Sequence, residues 1–247
     1  IHTKSEVEYV ENKAKNLTVD VYPIASISRE LKGENMSEMY DMKQEGAVAF
    51  ADGKKSLENP QLLSISLLYA KGIDALIMTF PDERKISQSG KMNEGEISTT
   101  LGLKGIPALA EELHVARNLF LAEYHDARIH FSTISTEKSV QLIREAKKKG
   151  LKVTAEVAVH NLIFDDSQLS DFDTNYKVNP PLRTKKDIQA LIKGLKDGTI
   201  DAICTDHSPE DEESKKVEFD NAEFGIIGLQ TAFAALNTNL GKKLNLE

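Results

Sequence analysis

The stretch Thr184–His207, TKKDIQALIKGLKDGTIDAICTDH, reads as one complete α–β unit and sets the terms for the rest of the chain. Ile188, Leu191, Ile192 and Leu195 recur at helical spacing, so one stripe of a helix can be buried against a sheet. Thr184 stands three residues before Asp187, a variant of the capping box that gives acceptors to the free N–H groups of a helix start. Gly198 suits the left-handed residue that closes a helix, and Asp201–Thr205 then forms a short apolar run of the kind a strand covered on both faces requires. The unit ends on Asp206-His207, a carboxylate and an imidazole where a strand hands over to a loop.

Working outward, six further runs read as strands: Leu17–Ile24, Ala47–Phe50, Asp74–Thr79, Arg128–Thr133, Lys152–Val157 and Tyr176–Asn179. Helical patterns separate most of them. The clearest is Leu109, Leu113, Ala116 and Phe120, predicted to pack as a stripe on the sheet, and Gly150 closes the helix before Lys152. Alternation of this kind predicts βα units around a parallel sheet, either an open doubly wound sheet or a (β/α)8 barrel lacking one unit. No glycine-rich phosphate turn of either common spacing follows an early strand, which favours the barrel. The domain expectation is a single, partial barrel over residues 1–247, with no second domain within this stretch. Two long loops, Asp82–Gly105 and Glu210–Gly225, sit where a barrel builds its site, and the acidic second loop is expected to be a mobile cover.

Composition limits the functions available. With 40% apolar residues in 247, the chain can bury a sizeable core and is not a disordered segment. Lys and Arg total 31 against 39 Asp and Glu, a net charge of −8, which argues against a nucleic-acid groove or an anionic membrane as partner. Trp is absent and the Phe and Tyr residues are dispersed, so no stacking platform is suggested. The longest apolar run, Leu62–Ala70, is far short of a membrane span. One cysteine, Cys204, and a charged opening stretch fit a reducing, cytoplasmic setting.

In a barrel, chemistry belongs at the carboxyl ends of strands, which here are Asp52, Thr79, Thr133, His160, Asn179 and Asp206. Asp206-His207 offers a base and a ligand, although a strand-end Asp also serves as a turn cap with a surface histidine beside it. His160 reads more readily as a core-edge residue bonded to backbone than as a ligand, and His130, inside a strand, as structural. His2, His114 and His125 read as solvated or capping groups. Neither H-x-H nor H-E-x-x-H occurs, so paired imidazoles on one metal are not supplied by spacing. Cys204 sits in an apolar run and reads as a buried, inert thiol.

Four longer strings carry a resemblance: MNEGEISTTLGLKGIPALAEE from Met92, DTNYKVNPPLRT from Asp173, DGTIDAICTDHSPEDEESK from Asp197 and EFGIIGLQT from Glu223. Together they resemble the class I dihydroorotases of the amidohydrolase superfamily, almost from end to end of the chain. The resemblance implies a (β/α)8 metal-dependent hydrolase barrel that holds one or two zinc ions and interconverts N-carbamoyl-L-aspartate and L-dihydroorotate. It implies that Asp206 is the last strand's proton-shuttling, metal-facing Asp, and that Asp52 is a metal carboxylate. It places Asn179 and the Phe224-Gly225 backbone at the substrate. It also implies that the barrel's first strand, with its H-x-R motif, and a C-terminal β-sandwich segment lie outside this stretch.

The departures from the pattern matter as much. Two positions at which the resemblance implies histidine ligands read Thr79 and Thr133, and a third, facing substrate, reads Glu210. A threonine hydroxyl is a poor zinc ligand beside imidazole. Zinc is therefore expected to be absent or substoichiometric and the chain to be weakly active or inactive. A ligand from Asp82 or Glu83 is the competing expectation at the Thr79 position. The alternatives left open are an active zinc-dependent cyclic-amide hydrolase, acting on dihydroorotate or on a hydantoin or dihydropyrimidine, and a non-catalytic subunit. The expected partners are a small cyclic amide if the chain is active, and aspartate carbamoyltransferase or a second copy of the chain.

Overall fold

The computed structural model describes residues 1–244; the last three residues of the expected 1–247 domain lie outside the described residues. Eight short strands occur in chain order: β1 (Ile24–Ala25), β2 (Ala49–Phe50), β3 (Ile77–Thr79), β4 (Met92–Asn93), β5 (Gly105–Ile106), β6 (Ile129–Phe131), β7 (Val153–Ala158) and β8 (Ala202–Cys204). Six of them have the sheet order β1-β2-β3-β6-β7-β8, while β4 and β5 pair separately. The pairings β1–β2, β2–β3, β3–β6 and β7–β8 are all parallel, as βα units require. Long helices alternate with the strands: α1 (Lys4–Ala14), α2 (Pro60–Gly72), α3 (Ala108–His125), α4 (Glu137–Lys148), α5 (Lys185–Lys196) and α6 (Ala232–Leu244). No helix of the described residues is long and apolar enough to cross a membrane.

Contacts divide the chain into two compact units whose segments interleave: Ile1–Pro81 with Ala116–Ser132 and Ala146–Val153, and Asp82–Val115 with Thr133–Glu145 and the chain from Thr154 on. In the first unit, β1, β2, β3 and β6 are built from small and apolar residues, with Ala25, Phe50, Ile77, Ile129 and Phe131 fully buried. Asn59 caps α2, accepting from the Gln61 and Leu62 N–H groups, and Pro60 occupies the first helical position, where its missing N–H costs nothing.

In the second unit, α5 starts and ends as its sequence predicts. Thr184 and Asp187 cap each other, and Gly198 takes a positive φ of 73° just past the helix. Leu191 is buried, with Ile188, Ile192 and Leu195 half-buried on the same face. Gly194 packs there against Ile200 and Val140, close enough that a Cβ would sit 3.0 Å from each.

Three expectations about elements fail, each for a physical reason. Of Leu17–Ile24 only Ile24 is in a strand, because the register Ile24↔Ala49 leaves the earlier residues unpaired by β2; Leu17, Val19, Val21 and Tyr22 are exposed. Tyr176–Asn179 is not a strand. Asp173 caps a turn of 3-10 helix at Thr174–Tyr176, and Pro180 and Pro181 bring no N–H to a ladder. The stripe Leu109, Leu113 and Phe120 faces outward, Phe120 being 71% exposed, and α3 instead buries Ala110, Glu111, His114, Val115, Asn118, Leu119 and Ala122. His114 is therefore a buried residue, not the solvated or capping group expected. The loop Asp82–Gly105 contains β4, which pairs with β5 at its end, and a helical turn at Glu96–Leu101.

The polar face of α3 is buried because Glu111 organises the second unit. Its carboxylate accepts the Ser135 and Thr136 N–H groups at 2.9 and 3.0 Å and the Ser135 hydroxyl. Arg183, also buried, lies 3.9 Å from Glu111 and donates to Ser135 Oγ, Asn93 Oδ1 and the Ile106 carbonyl. Burial pushes the Arg183 guanidinium below its ordinary range, and the nearby Glu111 carboxylate opposes that shift most strongly.

Removing one partner of such a buried pair leaves a charge unpaired in a poor solvent. Arg183→Met is expected to cost about 3–5 kcal/mol of unfolding free energy, seen as a lower urea midpoint at unchanged slope. The double variant Arg183→Met/Glu111→Gln recovers part of the loss, since an amide oxygen still accepts the two N–H groups without a buried charge.

Candidate functional site

The register of β7 against β8 assembles the most chemically distinctive pair in the second unit. Ala158 lies opposite Cys204, and His160 and Asp206 are each two residues further on. Their side chains are about 5% and 9% exposed, with His160 Nε2 3.6 Å from Asp206 Oδ2. Asp206 has a positive φ of 47°, which breaks the strand and turns the carboxylate off the sheet. His160, read from sequence as a backbone-bonded core residue, is thus brought beside Asp206. The signal that could have found it is the strand-to-helix handover at Ala158–Val159, which lies opposite the end of β8.

His207 does different work. It is exposed, and its Nδ1 accepts the Gly228 and Leu229 N–H groups at 3.0 and 3.3 Å, which requires a neutral ring protonated on Nε2. Ser208 N–H donates to Ile226 O, so the loop after β8 is fastened to residues 226–229. Gly225 lies beneath this junction, where a Cβ would come within 2.4 Å of Ser208 O. Only glycine fits that close approach. Its own N–H donates to Lys177 O at 2.9 Å and is spent within the fold.

Lys177 is the other buried cation of this unit. Its Nζ donates to the Phe219, Asp220 and Ala222 carbonyls at 2.6, 3.2 and 2.5 Å and lies over the Phe219 and Phe224 rings. Burial pushes its ammonium down to about 8, with Lys91 and Lys215 adding to the shift and Asp220 and Glu223 opposing it. The segment expected to be a mobile cover therefore carries anchors: Phe219 and Ala222 are buried, and Phe219 shares a core cluster with Met92 and Leu169. Asn179, half-buried two residues beyond Lys177, precedes a cis bond to Pro180.

A cavity of about 560 Å³ opens beside Gly225, lined by Phe164, Asp173, Tyr176, Glu210, Lys215 and Ile226 among others. Glu210 is exposed at its rim. Burial lowers the Lys215 ammonium, and Glu210, Asp173 and Glu223 pull the other way. The rim is thus weighted toward negative charge.

The remaining predicted residues lie at or just past the ends of their own strands. In the first unit, Asp52 follows β2 and is buried; its Oδ1 accepts the Ile27 and Ser28 N–H groups at 2.8 and 3.0 Å, and its Oδ2 the Ser28 hydroxyl. Most of its acceptor capacity is used to shape the turn after β1. Thr79 closes β3, buried, its hydroxyl without a hydrogen-bond partner among the described residues. In the second unit, Thr133 follows β6 with a φ of 49°, an uncommon conformation for a β-branched residue, and its buried hydroxyl is likewise unpartnered. Asp82 is half-buried, and desolvation raises its carboxyl while a bond to Ser87 and the charges of Arg84 and Arg183 lower it. Cys204, expected to be buried, is half-buried, and desolvation pushes its thiol up.

Among the described residues, no group of three His, Cys, Asp or Glu side chains is placed to hold a metal ion. His160 and Asp206 are a pair, Asp52 is occupied by three donors, and the two threonine hydroxyls are neutral. The donors among the described residues by themselves do not fit a zinc ion. At 3.6 Å the two side chains are an ion-pair contact and not a hydrogen bond, so what the pair offers is a carboxylate and an imidazole side by side.

Comparison with known proteins agrees with the fold and identifies the family. The family model described as Dihydro-orotase-like matches residues 2–139. Curated relatives include the dihydroorotase of Thermoanaerobacter sp. (strain X514), 49% identical over 95% of this chain and 54% of the relative. That of Acetivibrio thermocellus is 46% identical over 97% of this chain and 56% of the relative. Among solved structures, L-hydantoinase (dihydropyrimidinase) from Arthrobacter aurescens superposes with a TM-score of 0.80 at 19% identity, covering 98% of this chain and 56% of that one. Dihydroorotase from Saccharomyces cerevisiae in complex with 5-fluoroorotic acid gives 0.73 at 14%, covering 98% and 68%. These structures share the barrel fold of the amidohydrolases. The chain spans about half the length of the curated relatives it matches. With the family model covering more than half of its residues, the chain belongs to the dihydroorotase-like family.

Proposed function

We propose that this chain is a barrel segment of a dihydroorotase-family protein that keeps substrate-facing groups but lacks the family's metal donors. Its turnover of N-carbamoyl-L-aspartate and L-dihydroorotate is then weak or absent. Dihydroorotases are in general zinc-dependent. The observation that carries the reading is the state of Thr79 and Thr133. Both are buried at strand ends, with hydroxyls that no other described group satisfies, where the resemblance implies imidazole ligands.

In this reading Asn179 and the Phe224-Gly225 backbone contact the substrate. Since the Gly225 N–H is donated to Lys177 O, the segment has its carbonyls to offer there. Asp206 is the proton acceptor, and His160 beside it holds or relays the proton. A positioned base contributes about 10²–10⁴-fold, against roughly 10⁶-fold or more for typical enzymes. Asp206 and His160 acting without a metal therefore leave most of the barrier in place. Glu210 at the cavity rim adds repulsion against an anionic substrate.

A second reading, an active cyclic-amide hydrolase with an altered metal site, is favoured by the buried His160–Asp206 pair, which offers two donors to a metal completed from outside this chain. Elemental analysis and turnover assays on the full-length protein separate the two. The first reading expects well under one zinc per chain and negligible dihydroorotate hydrolysis. One or two tightly held zinc ions with ordinary turnover would overturn it.

The triple variant Thr79→His/Thr133→His/Glu210→His in the full-length protein is expected to raise zinc content, measured by the same analysis. Glu210→Gln alone removes one exposed charge. It is expected to strengthen L-dihydroorotate binding about threefold to tenfold at low ionic strength, and the gain should fade as salt screens the site. Titration calorimetry at two salt concentrations reads both effects.

A further inference from the structure

We infer that Lys177 is a positioning residue: it locks residues 219–225 as a fixed wall and sets the placement of the Phe224-Gly225 backbone relative to Asn179. The inference rests on the substrate contacts of the proposed function. It goes beyond them in assigning a role to a side chain that touches no substrate.

Residue 177 holds this segment at both of its ends. The ammonium draws the carbonyls of Phe219, Asp220 and Ala222 around one nitrogen. A turn whose carbonyls converge in this way needs a buried cation or donor cluster at its centre, because three carbonyl dipoles pointing inward otherwise repel. The Phe219 and Phe224 rings, 5.1 and 5.0 Å from Nζ, present their negative faces to the same charge. On the main chain, Lys177 O accepts the Gly225 N–H. Asn179 is two residues further along, so residue 177 links the two substrate-facing groups through its side chain and its carbonyl together.

Lysine is suited to this place by geometry. Three donors on a compact head match three carbonyls, whereas the planar fork of arginine spreads its donors over a wider arc. The surroundings leave the clamp little competition. Lys177 is 1% exposed, so water does not substitute for its bonds. Lys91 reaches the same Asp220 carbonyl at 2.5 Å, but from the exposed side and with no contact to the other two.

The test uses the full-length protein with Lys177→Met, Lys177→Arg and, as a control on the same turn, Lys91→Met. Hydrogen exchange reports order in residues 217–227, urea unfolding reports global stability, and calorimetry reports L-dihydroorotate binding. The expected result is that Lys177→Met speeds exchange in this segment at least tenfold, leaves β7 protected, and weakens dihydroorotate binding at least tenfold. Lys177→Arg should restore much of both, and Lys91→Met should change neither. If Lys177→Met does not fold, Lys177→Gln, which keeps part of the donor set, takes its place with the same expectations. Unchanged exchange overturns the clamp. Faster exchange with unchanged affinity overturns the positioning role. Failure of the unaltered protein to bind dihydroorotate overturns the substrate reading on which the inference rests, and is distinguishable because it appears before any substitution is made.

Discussion

The second unit depends on a carboxylate that faces inward from a helix. Glu111 gives two backbone N–H groups and a hydroxyl of the Ser132–Ser139 stretch a common acceptor, and Arg183 beside it ties the same region to Asn93 and Ile106. An ion pair this deep gains little net stability compared with apolar packing, because both charges lose their water. Its value lies in direction. Hydrogen bonds to fixed atoms hold Ser135 and Thr136, two and three residues past the left-handed Thr133, and they place the chain after the two prolines next to β5.

The same interaction explains where sequence reading succeeds and where it fails. Six of the seven expected strands contain real ladder pairs, although Leu17–Ile24 contributes only its last residue, and α5 is legible down to its caps, because the local signals agree with the packing. On α3 they conflict. The apolar stripe at Leu109, Leu113 and Phe120 has the right period, yet the buried face holds Glu111, His114 and Asn118. Periodicity counts apolar residues and cannot register a polar face that is buried to serve a loop twenty-four residues away. Tyr176–Asn179 fails for a related reason: its β-like composition is overruled by the Asp173 cap and two prolines, and its buried lysine serves a segment more than forty residues on.

The candidate site was legible in its residues more than in its geometry. Asp206, Thr79 and Thr133 were placed from the sequence, and each lies at or just beyond the end of a strand. His160 counts among the strand-end positions but reads as bonded to backbone, because a single histidine after an apolar run carries no partner in the linear sequence, and Asp206 is forty-six positions later. Likewise, the three donors that occupy Asp52 come from residues about twenty-five positions earlier. Long-range pairing of this kind is a property of the sheet, not of any local pattern.

The ladder that joins β7 to β8 also constrains how the chain can vary in length. His160 and Asp206 meet because each stands two residues beyond a matched pair, Ala158 and Cys204. Adding or deleting one residue within either short overhang displaces one side chain from the other while its partner stays put. Length changes beyond Asp206 are not constrained by that ladder, and the segment between Glu210 and Val217 projects mostly exposed side chains. Insertions and deletions among descendants of this sequence should therefore collect in the outer loop and be excluded from the four overhang positions, Val159, His160, Thr205 and Asp206.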